Sequence, residues 1–246
     1  MATKVIEEVT HPVFDVNVLR QDFPILTEEV YGKPFTYLDS AASAQKPLQV
    51  IEAISKVYST EYSNVHRGVH YMSQKATDAM EEAREKIKSF VNASSIREII
   101  FVRGATEGIN LVASSWGRRN LSAGDEIILT MLEHHSNIVP WQLIAEEVGA
   151  FLKVVPIDRD GVLDMDTYSN LLSNKTKFVA VTHVSNALGT ILPVTELIRL
   201  AHERGAKVLV DGCQAAPHMK IDVRALDADF YVLSGHKIYG PSGIGI

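Results

Sequence analysis

Residues 229–246 have the sequence DFYVLSGHKIYGPSGIGI, an apolar strand that leads into Ser-Gly-His-Lys and then into a loop rich in glycine and proline. A lysine at the mouth of a buried strand, here Lys237, is poorly placed to act as a solubilising surface residue. Burial and neighbouring cations favour the neutral, nucleophilic form of its amine. The stretch therefore predicts an amine that traps a carbonyl group at the end of a strand.

The chain upstream of this stretch alternates apolar runs with helical patterns. The apolar runs are Ile99–Val102, Glu126–Thr130, Phe151–Ile157, Phe178–Thr182, Lys207–Val210 and Phe230–Leu233. The helical patterns are Pro47–Glu61, Ser73–Asn92, Glu107–Trp116, Pro140–Glu147 and Val194–Arg204, after a loose arm of about fifteen residues and a short helix from Asp15 to Asp22. This alternation predicts a mostly parallel sheet with helices on both faces, whose ligands bind at the carboxyl ends of the strands.

The composition disfavours several functional classes. A formal net charge of −6 without a basic run argues against general nucleic-acid binding. No apolar stretch is long enough to span a bilayer, and the first residues lack the apolar region of a signal peptide. A single cysteine excludes an internal disulfide framework and fits a reducing compartment. We therefore expect a cytoplasmic protein without nucleic-acid or membrane partners.

Two of the strand ends carry motifs that have more than one interpretation. Gly104 and Ala105 precede Thr106 at the start of a helix, where free N–H groups attract a phosphate, although such a turn is also an ordinary cap. His134 and His135 follow the run Glu126–Thr130. They suggest a metal site, but no third ligand lies at zinc-like spacing. An imidazole stacked on an aromatic cofactor and a capping or core histidine are the alternatives.

The remaining strand ends add three polar groups. Asn186 follows Phe178–Thr182 and can donate to a phenolate oxygen. Asp211 follows Lys207–Val210, where a buried carboxylate needs a partner such as a protonated pyridine nitrogen, unless it is only structural. Ser234, His236 and Lys237 complete the set. Together these groups are those that pyridoxal phosphate (PLP) requires of a protein.

The chain resembles the cysteine desulfurases of the sulfur-mobilisation (Suf) type, which are class V PLP enzymes. The resemblance extends from Leu19–Leu26 through Tyr37–Ala42 and Asn64–Gly68 to the lysine loop. The Glu133–Trp141 motif, EHHSNIVPW, favours the Suf type over the iron–sulfur-cluster (Isc) type. The resemblance implies the large domain of the PLP-dependent transferase fold, type I. It has a seven-stranded sheet across residues 37–246, preceded by an N-terminal arm and helix in residues 1–36.

The resemblance also implies a role for each site residue. Lys237 forms the Schiff base and moves protons at the substrate, and Asp211 pairs with the pyridine nitrogen. His134 stacks on the ring, a catalytic role in the family. The other implied roles are contacts to the phenolic oxygen by Asn186 and Gln214, contacts to the phosphate by Thr106, Ser234 and His236, and a substrate border formed by Ala41, Ala42, His66 and Arg67.

The implied reaction converts L-cysteine to L-alanine and passes the sulfur as a persulfide to an acceptor protein of the Suf type for iron–sulfur cluster assembly. A homodimer is implied as well. The alternatives are a selenocysteine lyase acting on L-selenocysteine, another class V enzyme such as a kynureninase or an aminotransferase, or an inactive PLP-binding fragment. A metal hydrolase built on His134 and His135 is the weakest alternative.

The sequence departs from the family pattern near its end. In the family the persulfide-forming thiolate lies far beyond the lysine, in a C-terminal small domain. We therefore expect an incomplete desulfurase, in which Gly243–Ile246 is the first half of a strand that inserts between others. Cys213 follows Asp211 where the family has a small residue, and we expect it to pack rather than to carry sulfur.

Overall fold

Five parallel strands form the central sheet of the structure, a computed structural model that describes residues 14–246. The strands are β3 (Glu126–Thr130), β4 (Phe151–Val155), β5 (Thr176–Thr182), β6 (Lys207–Asp211) and β7 (Phe230–Val232), and their spatial order is β4-β3-β5-β6-β7. They follow a small antiparallel hairpin of β1 (Glu29–Val30) and β2 (Lys33–Pro34). The parallel α/β architecture predicted from the sequence is confirmed.

Nine α-helices accompany the strands in the described part of the chain. They are α1 (Val16–Arg20), α2 (Leu48–Lys56), α3 (Tyr71–Val91), α4 (Ala105–Val112), α5 (Arg118–Asn120), α6 (Val139–Val148), α7 (Met165–Leu171), α8 (Val194–His202) and α9 (Val223–Leu226). The helix predicted from Asp15 is α1, whose first turn the Asp15 carboxylate caps through the N–H of Asn17. The predicted arm lies mostly outside the described residues.

The sheet is buried on both faces because successive side chains of each strand enter different cores. On β3, Ile127 and Leu129 pack in the core formed with α4 and α6, whereas Ile128 packs in the core formed with α7 and α8. All three side chains are buried. A strand covered on both sides reads as a continuous apolar run rather than an alternating one, which explains why the sequence revealed these strands.

The predicted count of seven strands was wrong, since five strands form the sheet of residues 14–246. Ile99–Val102 is not a strand, and only Val102 of that run pairs, through hydrogen bonds in both directions with Gly245. Ile246 likewise exchanges two hydrogen bonds with Leu233 beside β7. The predicted strand Gly243–Ile246 does not form: only Gly245 pairs, through isolated bridges to Val102 and Ser234, although residues 244–246 do lie between those two segments.

An irregular segment, Tyr37–Lys46, which contains a turn at Ser40–Ala42, crosses the carboxyl ends of the strands. The Ala44 N–H donates to the carbonyl of His236 at 3.0 Å, and the Gln214 side chain donates to the carbonyl of Ala41 at 2.6 Å. These bonds position Ala41 and Ala42 over the sheet. Within residues 14–246, none of the helices combines the length and the hydropathy that crossing a lipid bilayer requires.

Candidate active site

A cavity of about 490 Å³ opens at the carboxyl ends of the strands. Its lining contains ten of the twelve residues that the sequence analysis selected: Ala41, Ala42, Thr106, His134, Asn186, Asp211, Gln214, Ser234, His236 and Lys237. Asp39, Ala105, Ser136, Thr182, Val184 and Cys213 complete the wall. The topology brings these residues together because parallel strands all end at one edge of the sheet.

Lys237 lies in a 3-10 turn, Gly235–Lys237, directly after β7. It is partly buried, and within residues 14–246 it takes part in no ion pair. The turn is close-packed: a Cβ on Gly235 would lie 2.7 Å from the Ile244 side chain. The preceding carbonyl, that of His236, accepts hydrogen bonds from the Ala44 N–H and from the Lys46 ammonium at 2.9 Å. The lysine amine therefore enters the cavity from a tightly packed, hydrogen-bonded turn.

Asp211 is the last residue of β6 and is buried, with 4% of its surface exposed. One carboxylate oxygen accepts the N–H of Cys213 at 3.0 Å. The backbone beside it is packed against Tyr231, since a Cβ on Gly212 would lie 2.1 Å from that ring. The carboxyl group lines the cavity and can accept a hydrogen bond there from a protonated nitrogen.

The start of α4 lies on the side of the cavity that carries Ser234. The Ser234 hydroxyl accepts the Ala105 N–H at 2.9 Å, and Thr106 is the next residue of the helix. The first N–H groups of a helix lack acceptors within it and carry partial positive charge. The His236 ring bonds to the Ser43 hydroxyl at 3.1 Å. Burial and the nearby Lys237 and Lys46 charges lower the His236 pKa, so the ring is neutral at pH 7.

His134 projects its ring into the cavity from the turn that precedes α6. Its Nδ1 accepts the Ser136 N–H at 3.2 Å and lies 2.8 Å from the Ser136 hydroxyl. A neutral ring therefore carries its proton on Nε2. The ring is exposed to the cavity, as a group that stacks on a bound aromatic ring must be.

Glu133, which the sequence analysis did not select, lies buried directly before His134. Burial raises the pKa of its carboxyl group to about 8, in spite of hydrogen bonds from Thr130, Asn137 and Thr182 that act in the opposite direction. The sequence signal was available: a charged residue directly follows Met131 and Leu132, which extend the apolar run of β3. Only the structure shows that the side chain turns inward.

Asn186 and Gln214 line the cavity from different loops. Gln214 is buried, and its amide N–H groups face the segment over the sheet, where one donates to Ala41. Asn186 is exposed, in the loop that links β5 to α8. Their expected contacts to a phenolic oxygen stay predictions.

Cys213 is a further cavity residue, and its side chain is buried. Its thiol lies 3.7 Å from the Ser234 hydroxyl. Burial, together with the Asp211 carboxylate, raises the pKa of the thiol. Cys213 is therefore a neutral thiol at pH 7 and a poor nucleophile.

His66 and Arg67 are the two selected residues that do not line the cavity. His66 instead bonds to Glu81 of α3 at 3.2 Å, and both side chains are exposed. Their place at the substrate border stays a prediction. His134 and His135 have rings 5.9 Å apart, and no three His, Cys, Asp or Glu side chains of residues 14–246 converge as metal ligands would.

The chemistry of the lining fits PLP. A volume of about 490 Å³ lies within the usual range of small-molecule sites. The lining offers an amine for the carbonyl, a buried carboxylate for the ring nitrogen, and a helix start with hydroxyl groups for the phosphate. Lys237 is the single lysine and Asp211 the single buried carboxylate among the cavity residues, and these groups come from separate parts of the chain.

The family model for class-V aminotransferases matches residues 36–246. A curated cysteine desulfurase of Escherichia coli strain K12 is 57% identical over 234 residues, which are 95% of this chain and 58% of that protein. This chain thus spans little more than half the length of that relative.

Two solved structures are similar over nearly the whole chain. The cysteine desulfurase CsdA of Escherichia coli, in an S-sulfonic acid form, superposes with a TM-score of 0.86 at 40% identity, covering 95% of this chain and 57% of the other. The apo cysteine desulfurase of Thermococcus onnurineus NA1 gives a TM-score of 0.87 at 39% identity, covering 100% and 57%.

Proposed function

Because this chain belongs to the class-V aminotransferase family, we propose that it supplies the cofactor site of a PLP-dependent cysteine desulfurase. One observation carries the proposal: Lys237, Asp211, His134 and the start of α4 line a single cavity, although they come from separate parts of the chain. Relatives that carry the name cysteine desulfurase at 57% identity support the choice of reaction within the family.

Each residue then has a task that its surroundings permit. Lys237 would hold the cofactor through its carbonyl group and would move a proton at the substrate Cα. Asp211 holds the proton of the ring nitrogen, since a buried carboxylate without such a partner is costly. Thr106, Ser234 and His236 bind the phosphate as neutral donors, and His134 covers the ring. Bound PLP supplies an electron sink for the bonds at the substrate Cα.

The proposed overall reaction takes sulfur from L-cysteine, leaves L-alanine and passes the sulfur to a thiolate. Cys213 does not suit that role, because its thiol is buried and its pKa is raised. Since Cys213 is the single cysteine of the sequence, we propose that the accepting thiolate belongs to another segment or another chain. A Suf-type acceptor protein and a homodimer remain parts of this proposal.

The test is to titrate the purified chain with PLP, record the absorbance, reduce with borohydride and map the modified peptide. We expect a new absorbance band at a longer wavelength than that of free PLP, and a reduced adduct on Lys237. Lys237→Ala is the paired variant, and it should show neither the band nor the adduct. An adduct spread over exposed lysines such as Lys86, with none on Lys237, would refute the proposal.

A further inference from the structure

The Glu133 carboxyl group joins three elements at the edge of the cavity. Its Oε1 accepts the backbone N–H of Thr182, the last residue of β5, at 2.9 Å, and the hydroxyl of Thr130, the last residue of β3, at 2.6 Å. Its Oε2 accepts the Asn137 side-chain amide at 2.6 Å. The carboxyl group needs no hydrogen bonds from water, because protein groups bond to both of its oxygens.

The direction of these bonds is fixed by groups that can only donate. The indole N–H of Trp141, in α6, donates to the Asn137 Oδ1 at 3.0 Å. That bond orients the Asn137 amide so that its nitrogen must face Glu133. The Thr182 N–H is also an obligatory donor. Each carboxyl oxygen thus accepts a bond from an obligatory donor, and the Thr130 hydroxyl is the partner that can accept the proton of the neutral carboxyl group. Trp141 is itself held against Phe178 of β5 at a ring-centroid distance of 4.3 Å.

The same residue is covalently next to His134, whose ring enters the cavity. The backbone leaves β3, passes through Glu133 and continues as the turn His135–Asn137, which the His134 ring caps. Glu133 and Asn137 therefore clamp both ends of that turn to β5. Without the clamp, the turn would be held by its own short 3-10 bonds, a weaker geometry.

We propose that Glu133 is a positioning residue that fixes the His134 ring in the cavity by clamping the turn His135–Asn137 to the ends of β3 and β5. The proposal deepens the proposed function, since it concerns the face that binds the cofactor ring. It also makes a claim about the chain without cofactor: the His134 ring is already oriented before anything binds.

Glu133→Gln separates this role from simple volume filling. The side chains have the same shape, but glutamine presents one oxygen and one NH₂ group. If the NH₂ faces Asn137, two donors oppose each other, and if it faces Thr182, it opposes the backbone N–H. Either arrangement leaves a buried donor unpaired, which weakens the clamp.

The matched control is Glu126→Gln at the other end of β3. Glu126 is also a shielded carboxylate with several partners, namely Ser173, Thr176 and Lys153, but it lies at the amino end of the strand, away from the cavity. A change common to both variants reflects general loss of stability. A change confined to Glu133→Gln reflects the clamp.

The first measurement is the histidine side-chain NMR spectrum of the labelled chain without PLP, with the His134 signal assigned by its absence in His134→Gln. We expect Glu133→Gln to shift or broaden the His134 signal and Glu126→Gln to leave it in place. The second is the PLP dissociation constant from absorbance titration, which we expect to rise about tenfold in Glu133→Gln alone.

An unshifted His134 signal in folded Glu133→Gln would overturn the proposal. If the wild-type chain failed to bind PLP, the proposed function would fall, while the NMR comparison would still decide the role of Glu133. If Glu133→Gln did not fold, Thr130→Val would replace it, because valine keeps the volume and removes one hydrogen-bond partner of the carboxyl group. That variant should shift the His134 signal in the same way, and an unchanged signal would again refute the clamp.

Discussion

At the scale of single residues, the space around each polar group of the site is set by the side chains packed against it. Asp211 illustrates this: its own carboxyl group has few protein partners, while the backbone after it is pressed against Tyr231, whose hydroxyl is bonded to His183 at 3.0 Å. Space beside the carboxylate is therefore set by an aromatic ring that has little freedom to move. Glycine at position 212 follows from this contact rather than from any backbone strain.

We predict that Gly212→Ala lowers the free energy of unfolding by about 3 kcal/mol, because the added methyl group would overlap the Tyr231 ring. Urea denaturation followed by circular dichroism measures the loss. Gly117→Ala is the control, since its Cβ would meet its nearest neighbour at 3.4 Å, an ordinary contact. Equal stability of Gly212→Ala and the wild type would show that the ring moves freely.

Glu133 also makes a pH prediction. The folded chain keeps the proton of this carboxyl group up to about pH 8, whereas an unperturbed glutamate loses it near 4.5. The folded state therefore binds more protons between these values, so the Glu133 contribution to the free energy of unfolding falls as pH rises from about 4.5 to about 8, and then levels off. The nearby Asp211 charge also raises the Glu133 pKa.

The measurement is the free energy of unfolding at a series of pH values for the wild type and for Glu133→Gln, which has no such proton. We expect the difference between the two curves to slope through that window and to be flat above it. Parallel curves would mean that Glu133 is ionised throughout in the folded chain.

At the scale of elements, the segment Tyr37–Lys46 and the lysine turn form one unit. The Lys46 ammonium donates to the carbonyls of Ala44 and His236, and it is partly buried, which lowers its pKa. We predict that Lys46→Met weakens PLP binding about tenfold, because the turn that carries Lys237 loses a charged donor.

Absorbance titration with PLP checks this expectation. Lys177→Met is the paired control, since among residues 14–246 the Lys177 ammonium makes one hydrogen bond, a 3.4 Å contact to the Asn174 carbonyl on the surface. Equal dissociation constants for the two variants would mean that the turn is rigid without Lys46.

The sequence predicted those elements whose pattern of apolar residues is contained within the element itself. Glu126–Thr130 has the predicted bounds, and four other strands differ from them by no more than two residues, since a strand buried on both faces is a continuous apolar run. The run Ile99–Val102 has the same composition but pairs only at Val102, because pairing depends on a distant segment. Helix α7, Met165–Leu171, escaped prediction since most of its residues are polar.

The candidate site was predicted as a set of residues because strand ends converge in any parallel sheet. The residues that hold this site in place were not predicted. Glu133, Lys46 and Tyr231 act through bonds to residues far away in sequence or through ring packing, and neither leaves a spacing pattern. His66 and Arg67 were selected from the family resemblance; neither lines the cavity, and His66 bonds to Glu81 of α3.

At the scale of the whole molecule, one side of the chain carries uncovered apolar residues. On α2 and the turn after it, Ile51, Ile54 and Tyr58 are exposed by 42%, 41% and 73%. Apolar stripes at helical spacing normally face a core or a partner. Since the proposal includes a homodimer, we expect this stripe to be covered by a second copy.

We therefore predict a mass near twice 27.1 kDa in sedimentation equilibrium, and a shift toward the monomer in Ile54→Glu. Leu143→Glu is the control, because Leu143 is exposed by 60% on α6, outside the stripe. A monomeric wild type would contradict the homodimer, and equal dissociation in both variants would move the interface elsewhere.

The close approach of Gly245 to Gly104 has a consequence for the order of folding. A Cβ on Gly245 would lie 2.6 Å from the Gly104 Cα, directly before α4, so two segments from distant parts of the sequence meet backbone to backbone. Such long-range contacts are slow to form, since a large loop must close first. We therefore expect the start of α4 to be completed late, and a nascent chain to bind the proposed cofactor only after its sheet has assembled.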